Sequence, residues 1–556
     1  MKKLYKNLAV QNLKKNKTVY LPYMMAQMLM AALFYNLLFL AENKDILTLP
    51  GGQSIRDTLD YGALVMGIFV MIFLFYVNSF LIKQRTKEFG LYRVLGMEQK
   101  HLKKVVLYET SLASAISFGT GIVAGILFSG LLYMILLHIL GAAATLSFGI
   151  SGIAIWVTFL LFGFLYVLIL LYNYRRLKKV NLREMLQEGE RGEREPKSKK
   201  GVMFIGIVSL IIGYGIALVI QNVFASLVWF FIATVFVILG TYTLFTAGSI
   251  IFLKKIKGDE KKYYTPKFFT AVSGLLHRMK QNAAGLAGIC ILSTMILVTC
   301  AVSISVYFGQ EQAIKTTFPS DIIVTMSGSK DANKDMKYIE RKAEEAAEEA
   351  GVSVDEVKFA PLTDVEKDMQ QGEGIRKVQI SLSGDDKGKY DCSRRLNLNP
   401  DDKEHTYQVA YANCKQSPTD GAESLRASYG GFLFLGIFMG VMFMTATVLM
   451  IYYKQISEGY EDRKRYVIMK KVGMSDKEVE EAIQNQVLLV FFLPLVMAGI
   501  HILAALKCMA KICSIMSIGF GTVFLCTVGT VFIFSLIYMG VYRQTAKVYY
   551  NIVDQK

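Results

Sequence analysis

The residue types that most often carry catalysis or bind metals are few and scattered in this chain of 556 residues. Its five histidines stand at positions 101, 138, 277, 405 and 501, and none has the spacing of zinc ligands. The phosphate-binding pattern G-x-x-x-x-G-K-[ST] and the nucleophile pattern G-x-S-x-G do not occur. We therefore expect no catalytic residue, no metal and no cofactor in this chain, and do not interpret it as an enzyme acting alone.

Charged residues are also nearly missing from the middle of the long apolar runs. Carriers coupled to protons or ions place ionisable groups there, because the coupling chemistry requires them. Glu109 lies near the end of such a run rather than at its centre. Coupling to an ion gradient is therefore not expected, and the energy for any transport must enter from the cytoplasm.

One sequence element occurs twice. Residues 87–102 align without a gap on residues 464–479, and Gly96-Met97 corresponds to Gly473-Met474. Each copy is predicted as a basic helix, a left-handed glycine C-cap and a second helix. We call residues 87–102 elbow 1 and residues 464–479 elbow 2. A duplicated unit is a fold-level signal, and two pseudo-symmetric corners are suited to docking on a two-fold symmetric partner. The alternative is a pair of basic loops that only fix topology.

The composition indicates a membrane protein. Hydrophobic residues make up 53% of the chain and charged residues 19%, which leaves little polar surface for a soluble protein of this length. Runs of about 20 apolar residues are long enough to span a bilayer. Ten such runs occur, at 18–41, 61–82, 107–137, 151–172, 202–221, 227–253, 284–308, 429–453, 486–506 and 516–541. The first shows no small-residue cleavage site, so we expect it to remain a helix.

Lysine and arginine follow the pattern of cytoplasmic loops. The arm up to residue 17 holds six lysines and no acid, and the alternate connections 138–150 and 222–226 hold no lysine or arginine. The bias predicts that both termini are cytoplasmic and that residues 309–428 are extracellular. The net charge of +17 reflects this bias, so we do not interpret it as nucleic-acid binding.

The predicted fold class is an all-α polytopic membrane protein of ten transmembrane helices and two repeats, with a small α+β extracellular domain. Its parts are expected at 1–17 (basic amphipathic arm), 18–58 (first span and loop), 59–176 (repeat 1), 177–201 (cytoplasmic linker), 202–308 (spans five to seven), 309–428 (extracellular domain), 429–545 (repeat 2) and 546–556 (cytoplasmic tail). The arm either lies along the inner headgroups or is a frayed tail that only sets orientation.

Residues 309–428 form the only sizeable predicted soluble part. They contain 23 acidic and 17 basic residues, and an acidic surface attracts cationic ligands. A helix is expected over 331–350 with a stop at Gly351, and strands are expected at 322–326, 378–382 and 407–411. Cys392 and Cys414 are both in this domain and are candidates for a disulfide, although spacing alone does not establish one.

At these segments the chain resembles the FtsX-like permeases of ABC transporters, and more narrowly the ten-span BceB type of bacitracin and antimicrobial-peptide resistance systems. The resemblance covers nearly the whole chain outside 309–428. The segments that carry it are 12–17, 20–23, 85–97, 189–197, 273–287, 451–462, 486–494 and 549–553.

The resemblance implies an ATP-binding partner subunit in two copies, which would hold ATP and magnesium. It implies docking of that subunit at Lys87, Glu88, Phe89, Gly90, Tyr92, Arg93, Gly96, Met97, Lys464, Tyr466, Met469, Lys470, Gly473 and Met474. Further implied partners are a membrane histidine kinase, membrane lipids, and cationic peptides or peptide-bound cell-wall lipids. The implied location is the plasma membrane of a Gram-positive bacterium.

Three functions follow from the resemblance. The first is an ABC permease that frees cell-wall lipid targets from antimicrobial peptides. The second is a permease for another peptide or lipid, or one that controls a wall hydrolase. The third is a sensory scaffold that signals to a kinase without productive transport. The extracellular domain is shorter than the BceB type usually carries, so the resemblance is weakest in the part expected to set ligand specificity.

Overall fold

A computed structural model gives the fold of the chain. It describes residues 2–142, 149–179, 200–219, 223–258, 266–317, 320–327, 332–360, 376–396, 398, 406–411, 421–471 and 476–554. The helices are α1 Lys2–Lys15, α2 Lys17–Ala41, α3 Gly52–Val94, α4 Gln99–Ile139, α5 Gly152–Lys179, α6 Lys200–Val219, α7 Val223–Thr243, α8 Ser249–Lys257, α9 Pro266–Thr317, α10 Ala332–Ala350, α11 Asp386–Arg395, α12 Gly421–Lys471, α13 Asp476–Ser514 and α14 Phe520–Asp554. The strands are β1 Ile322–Ser327, β2 Ser353–Phe359, β3 Arg376–Ser383 and β4 Thr406–Tyr411.

Ten helical stretches among the described residues are long and apolar enough to cross a membrane. This confirms the predicted fold class and the count of ten spans. A short π-helical turn, Leu244–Gly248, joins α7 to α8 within the sixth span. The predicted linker 177–201 lies mostly outside the described residues.

The membrane helices form two groups of four. α2, α3, α4 and α5 pack together, and α9, α12, α13 and α14 form the matching second group. The groups meet chiefly where α3 packs on α12. Each group therefore adds one preceding helix to the predicted three-helix repeat.

The helices α6 and α7 form a pair that packs on the second group. His501 of α13 is the main polar link: its Nδ1 lies 2.6 Å from the Tyr214 hydroxyl of α6, and its Nε2 lies 3.0 Å from Thr241 Oγ1 of α7. The Thr241 hydroxyl donates to Val237 O at 2.6 Å. His501 Nε2–H therefore donates to Thr241, and His501 Nδ1 accepts from Tyr214. This histidine holds a helix pair in place.

Several helices are longer than the bilayer requires. α3 has 43 residues, α9 has 52 and α12 has 51. At about 1.5 Å per residue they are roughly 65–78 Å long, whereas the hydrocarbon core is about 30 Å thick. Their ends therefore project from the membrane. We call the side that bears elbow 1 the elbow side and the opposite side the domain side.

On the domain side, β1–β4 with α10 and α11 form a small domain inserted between α9 and α12, here called the inserted domain. Its four strands are antiparallel to their neighbours in the order β2-β3-β1-β4. With the chain order β-α-β-β-α-β, this is the ferredoxin-like arrangement. Ile339 and Ala343 of α10 pack on Val324 and Ile380 of the sheet.

Three of the four strands and the helix α10 were predicted from the sequence, and β2 was not. A register shift between Val354 and Glu356 interrupts its pairing with β3. The two apolar residues on its core face, Val354 and Val357, are therefore three positions apart instead of two or four. The bulge hides the alternation by which a strand is recognised.

Candidate functional site

Elbow 1 is the tight turn that joins α3 to α4. Gly96 has φ +90°, the left-handed conformation that favours glycine. The Met97 N–H donates to Tyr92 O at 3.0 Å, and the Gly96 N–H donates to Arg93 O at 3.2 Å. These two bonds make a Schellman motif, and the Tyr92 and Met97 side chains join one apolar cluster, as that motif often requires. The predicted glycine cap of elbow 1 is present.

The apolar cluster beneath elbow 1 fixes three helix ends. Phe89 of α3 packs with Leu102 and Val106 of α4 and Leu177 of α5, and all four are buried. Each contributes about 2 kcal/mol through removal of apolar area from water. The Gln99 side chain also donates to Leu177 O at 2.9 Å. The elbow is therefore part of a packed core rather than a loose loop.

A buried ion pair lies next to this cluster. Arg85 of α3 and Glu109 of α4 bond directly, and each side chain is 2% exposed. The Arg85 guanidinium also lies 4.9 Å from the centre of the Phe89 ring and donates from Nε to Glu88 Oε2 at 3.1 Å. Tyr20 of α2 donates to Glu109 Oε2 at 3.0 Å. This charge set binds α2, α3 and α4 together at the elbow-side edge of the membrane.

The N-terminal arm joins the same network. It is the helix α1, which packs on α4 through buried Tyr5, Ala9 and Asn12. Asn12 Nδ2 donates to Glu109 Oε1 at 2.6 Å and Asn12 Oδ1 accepts from the Tyr92 hydroxyl at 3.0 Å. The arm thus packs directly against elbow 1. Its placement along the headgroups remains a prediction.

An apolar surface remains exposed around the turn of elbow 1. Leu91 and Val94 are each 54% exposed and Leu95 is 74% exposed. In elbow 2, Val467 is 46% exposed and Ile468, which aligns with Leu91, is 61% exposed. Both elbows therefore present apolar side chains beyond the membrane spans, and exposed apolar patches mark interaction surfaces.

The structure separates the predicted docking residues of elbow 1 into two sets. Phe89 and Gly90 are buried, whereas Gly96 is exposed. Glu88, Tyr92, Arg93 and Met97 are intermediate. The expectation that Phe89 is available to a partner needs correction, because its ring fills the cluster between α3, α4 and α5. The Lys87 side chain lies outside the described residues.

Less of elbow 2 is described. Lys464, Tyr466, Met469 and Lys470 lie in α12, but their side chains are outside the described residues, as are Gly473 and Met474 entirely. At the base of elbow 2, Asp462 occupies the position of Arg85 and accepts a hydrogen bond from Tyr549 of α14, and both are buried. Glu109 aligns with Gln486. The second elbow therefore has a different polar anchor.

Cys392 is buried in α11 of the inserted domain, and Cys414 lies outside the described residues. Burial raises the pKa of the Cys392 thiol to about 11. The disulfide between these two cysteines stays a prediction.

The helices α9 and α12 both run from the inserted domain towards the elbow side. Along the way their backbones approach each other closely. A Cβ on Gly436 of α12 would lie 1.9 Å from Ser303 Oγ of α9, and one on Gly440 would lie 2.6 Å from Cys300 Sγ. This G-x-x-x-G spacing lets two helix backbones approach closely in a membrane. α12 itself runs unbroken from the inserted domain to elbow 2.

Sequence reasoning missed the Arg85 network. Asn12, Tyr20, Arg85 and Glu109 come from four different helices, and none forms a motif with its neighbours. The available signal was Glu109 at the start of an apolar run, since an acid in that place needs a partner.

The two elbows, the ten spans and the inserted domain define a polytopic membrane permease built from a duplicated helical unit. Residues 62–182 match the family described as FtsX-like permease C-terminal. This match, the ten spans and the relatives below support an FtsX-like ABC transporter permease of the BceB type, a multi-pass protein of the bacterial membrane.

The chain is 26% identical to the uncharacterised ABC transporter permease YvcS of Bacillus subtilis (strain 168), over 49% of this chain and 42% of that protein. It is 29% identical to the bacitracin export permease protein BceB of Halalkalibacterium halodurans, over 57% of this chain and 51% of that protein. The matches thus span about half the length of these two relatives. The bacitracin export permease protein BceB of Bacillus subtilis is 23% identical over 89% of this chain and 92% of that protein.

Proposed function

We propose that the chain is the membrane subunit of an ABC transporter in which ATP hydrolysis by a separate subunit moves the inserted domain. The observation that carries the proposal is the continuity of α12, whose 51 residues join the inserted domain to elbow 2. A continuous helix packed closely along α9 can transmit displacement from one end to the other. The absence of a nucleotide-binding pattern in the sequence agrees with a separate ATPase.

The orientation follows from charge. The elbow-side connections carry the lysine and arginine excess of cytoplasmic loops. The elbows and both termini are therefore cytoplasmic, and the inserted domain is extracellular. The cell type that the BceB resemblance favours is a Gram-positive bacterium.

The elbows are the docking sites of the ATP-binding subunit. Leu91, Val94 and Leu95 on elbow 1, with Val467 and Ile468 on elbow 2, supply apolar anchors, and buried apolar anchors dominate protein interfaces. Two related elbows in one chain accommodate two copies of one partner, one on each. Neighbouring basic residues such as Arg93 add charge that orients the encounter.

The inserted domain acts on cationic antimicrobial peptides or on the cell-wall lipids that such peptides bind. Two features support this: the excess of acidic over basic residues in 309–428, and the similarity to two proteins named bacitracin export permease. In this proposal, movement of the inserted domain removes the peptide from its lipid target, and the continuous helix α12 supports such a transfer of movement. Signalling to a membrane histidine kinase is a further part of the proposal.

Replacement of residues 318–420 by a short glycine-serine linker tests this function. The helix ends that flank the domain are held near each other by the Glu311–Arg426 ion pair, at 3.1 Å, so a short linker can join them. We expect the ATP-binding subunit to co-purify as before, while growth protection against bacitracin is lost. Retained protection would contradict the role assigned to the domain.

An inactive ATPase distinguishes transport from sensing. With a partner subunit that binds but does not hydrolyse ATP, peptide protection should disappear. If induction of the kinase-controlled genes persisted while protection was normal, the chain would be a sensory scaffold rather than an ATP-driven machine.

A further inference from the structure

A pocket of about 320 Å³ opens between α2, α3, α4 and α5 of the first helix group. Its size is at the lower end of small-molecule sites, which are about 300–1,000 Å³. Most of its wall is apolar, including Leu74, Phe118 and Phe162. Its polar groups are Gln27, Ser111, Ser114 and Tyr166. We call it the repeat-1 pocket.

Ser111 and its partner Tyr166 lie at the elbow-side end of the pocket. Ser111 is two residues from Glu109 along α4, so the rise between them is about 3 Å. Phe118 is seven residues further along, about 10 Å deeper into the membrane. The pocket thus has a polar mouth near the membrane boundary and an apolar interior, which is the shape of a single-chain amphiphile.

The hydrogen bonds at the mouth indicate what a ligand must offer. Ser111 Oγ donates to Leu107 O at 2.7 Å, so the Tyr166 hydroxyl, 2.5 Å away, donates to Ser111. The Tyr166 oxygen therefore presents acceptor lone pairs to the pocket. The Gln27 side chain carries both donors and an acceptor. None of the described residues that line the pocket is charged, so the complementary group is an uncharged hydroxyl.

The second helix group provides an internal comparison. α4 begins at Gln99 and α13 at Asp476, which keeps the alignment of the duplicated elements, so positions on the two helices correspond without a gap. Ser114 and Ala115 then align with Phe491 and Phe492. Leu165 of α5 aligns with Tyr542 of α14 by the same spacing.

These larger side chains pack together in the second group. The Phe491 and Tyr542 ring centres are 4.9 Å apart in an edge-to-face contact, and the Phe492 and Tyr542 centres are 5.8 Å apart. Aromatic rings thus occupy in one repeat the space that small residues leave in the other. The repeat-1 pocket is therefore not a necessary result of the fold, since the second helix group fills the corresponding space with aromatic rings.

A buried hydroxyl lies behind the mouth. Tyr23 of α2 is fully buried, and its hydroxyl lies near Ser114 and Gln27 without a hydrogen bond of normal geometry to any described residue. A ligand hydroxyl or a reoriented Gln27 would satisfy it. Tyr23 also lies beside Tyr453 of α12, the helix that joins elbow 2 to the inserted domain.

We propose that the repeat-1 pocket binds an uncharged single-chain membrane lipid that carries a hydroxyl group, with the chain among the phenylalanines and the hydroxyl at Ser111, Ser114, Tyr166 and Gln27. The lipid enters laterally from the elbow-side leaflet. A bound lipid changes the surroundings of Tyr23, and therefore changes the contact between the first helix group and α12.

Photolabelling of the purified full-length chain in phosphatidylcholine nanodiscs tests the site. The probe is a monoacylglycerol with a diazirine in its acyl chain, and the comparison probe is the corresponding diazirine alkane. We expect the monoacylglycerol to label residues 111–118 or 159–169 at least about tenfold more than the alkane does, equivalent to about 1.4 kcal/mol of preference. Equal labelling by the two probes would show ordinary bilayer contact and overturn the proposal.

The variant Ser114→Phe/Ala115→Phe installs the residues of the second repeat and should reduce monoacylglycerol labelling about tenfold or more. Gly499→Phe is the matched control, because it places a ring in a different lipid-facing groove, of about 350 Å³, between α13 and α14. A Cβ on Gly499 meets no atom within 4 Å. Labelling that the control lowers as much as the filled variant would contradict the site.

A second variant keeps the proposal testable if the Ser114→Phe/Ala115→Phe protein does not fold. Ser111→Ala/Tyr166→Phe removes the two acceptor hydroxyls at the elbow-side end and nearly keeps the volume. It should remove the preference for the monoacylglycerol over the alkane without abolishing labelling by either. A retained preference would show that these hydroxyls do not recognise the ligand.

Discussion

Arg85 and Glu109 form a buried ion pair that joins the end of α3 to the start of α4, with each side chain 2% exposed. The pair lies where the spans leave the membrane and directly beside the Phe89 ring. It gives elbow 1 a fixed angle, because both charges are held by further bonds from Tyr20, Asn12 and Glu88.

Breaking this pair from one side should destabilise the protein strongly. Arg85→Ala or Glu109→Ala leaves one buried charge without compensation, which costs about 3–5 kcal/mol. The double change Arg85→Met/Glu109→Leu should cost clearly less than the sum of the two single changes. Thermal unfolding in detergent measures the difference. Lys100→Ala is the control, since its bond to Glu98 is on the surface, and no loss of stability is expected there.

Gly96→Ala should destabilise elbow 1 by about 1–2 kcal/mol through backbone strain alone. Gly96 has φ +90°, and a Cβ there would meet no other atom within 4 Å, so no steric clash contributes. Gly96→Asn should cost less, because asparagine tolerates the left-handed region. Gly119→Ala is the control: it adds a Cβ in open space within a helix and should be neutral or stabilising. A neutral Gly96→Ala would contradict the turn described.

Leu91→Asp combined with Ile468→Asp should reduce recovery of the ATP-binding subunit in pull-down experiments more than either change alone. The two side chains occupy equivalent exposed positions on the elbows, and a buried anchor typically costs 2 kcal/mol or more when lost, about 30-fold in affinity. Phe359→Asp is the control, because it makes the same change on an exposed residue of the inserted domain. Unchanged recovery in the double variant would exclude these surfaces as docking sites.

Gly436→Ala should separate α9 from α12 and uncouple ATP hydrolysis from peptide protection while leaving subunit association intact. The added Cβ would lie 1.9 Å from Ser303 Oγ and 2.3 Å from Ser303 Cβ. Ser303→Gly removes both atoms, so the double variant should recover protection in part. Gly431→Ala, whose nearest neighbour is 3.4 Å away, should behave as the unchanged protein. Growth in bacitracin and ATPase turnover are the two measurements.

Cys392 should react slowly with maleimide at pH 8. Burial raises its pKa to about 11, so the reactive thiolate is scarce below that pH and increases as the pH rises towards it. Urea should abolish the protection by unfolding the inserted domain. If labelling in urea also requires a reductant, Cys392 is oxidised, as a bond to Cys414 would require. Rapid labelling of the folded protein at pH 8 would contradict its burial.

The large-scale architecture was predictable because each of its signals is local in sequence. A run such as 284–308 identifies a span by length alone, and the Gly-Met of elbow 1 repeats in elbow 2. The interior of the elbows was not predictable, since the partners of Glu109 come from α1, α2 and α3. Phe89 was expected to be available for docking of the partner subunit, but the helix turns its ring inward to the α4 cluster.

The repeat-1 pocket had a sequence signal that went unused. The alignment that defines the elbows, extended by thirteen residues, already places Ser114 opposite Phe491 and Ala115 opposite Phe492. A loss of two rings in one copy of a duplicated helix predicts a gap in its packing. Only the structure shows that the neighbouring helices leave that gap open.

The inserted domain enters and leaves the membrane part through two adjoining helix ends, and the matching position between α2 and α3 holds only a short 3-10 turn over Lys44–Thr48. A domain attached only at the ends of α9 and α12 can be enlarged, shortened or exchanged during evolution without a change in the packing of the membrane helices. A new recognition specificity then requires sequence change only in the inserted domain, while the membrane helices and the elbows stay the same.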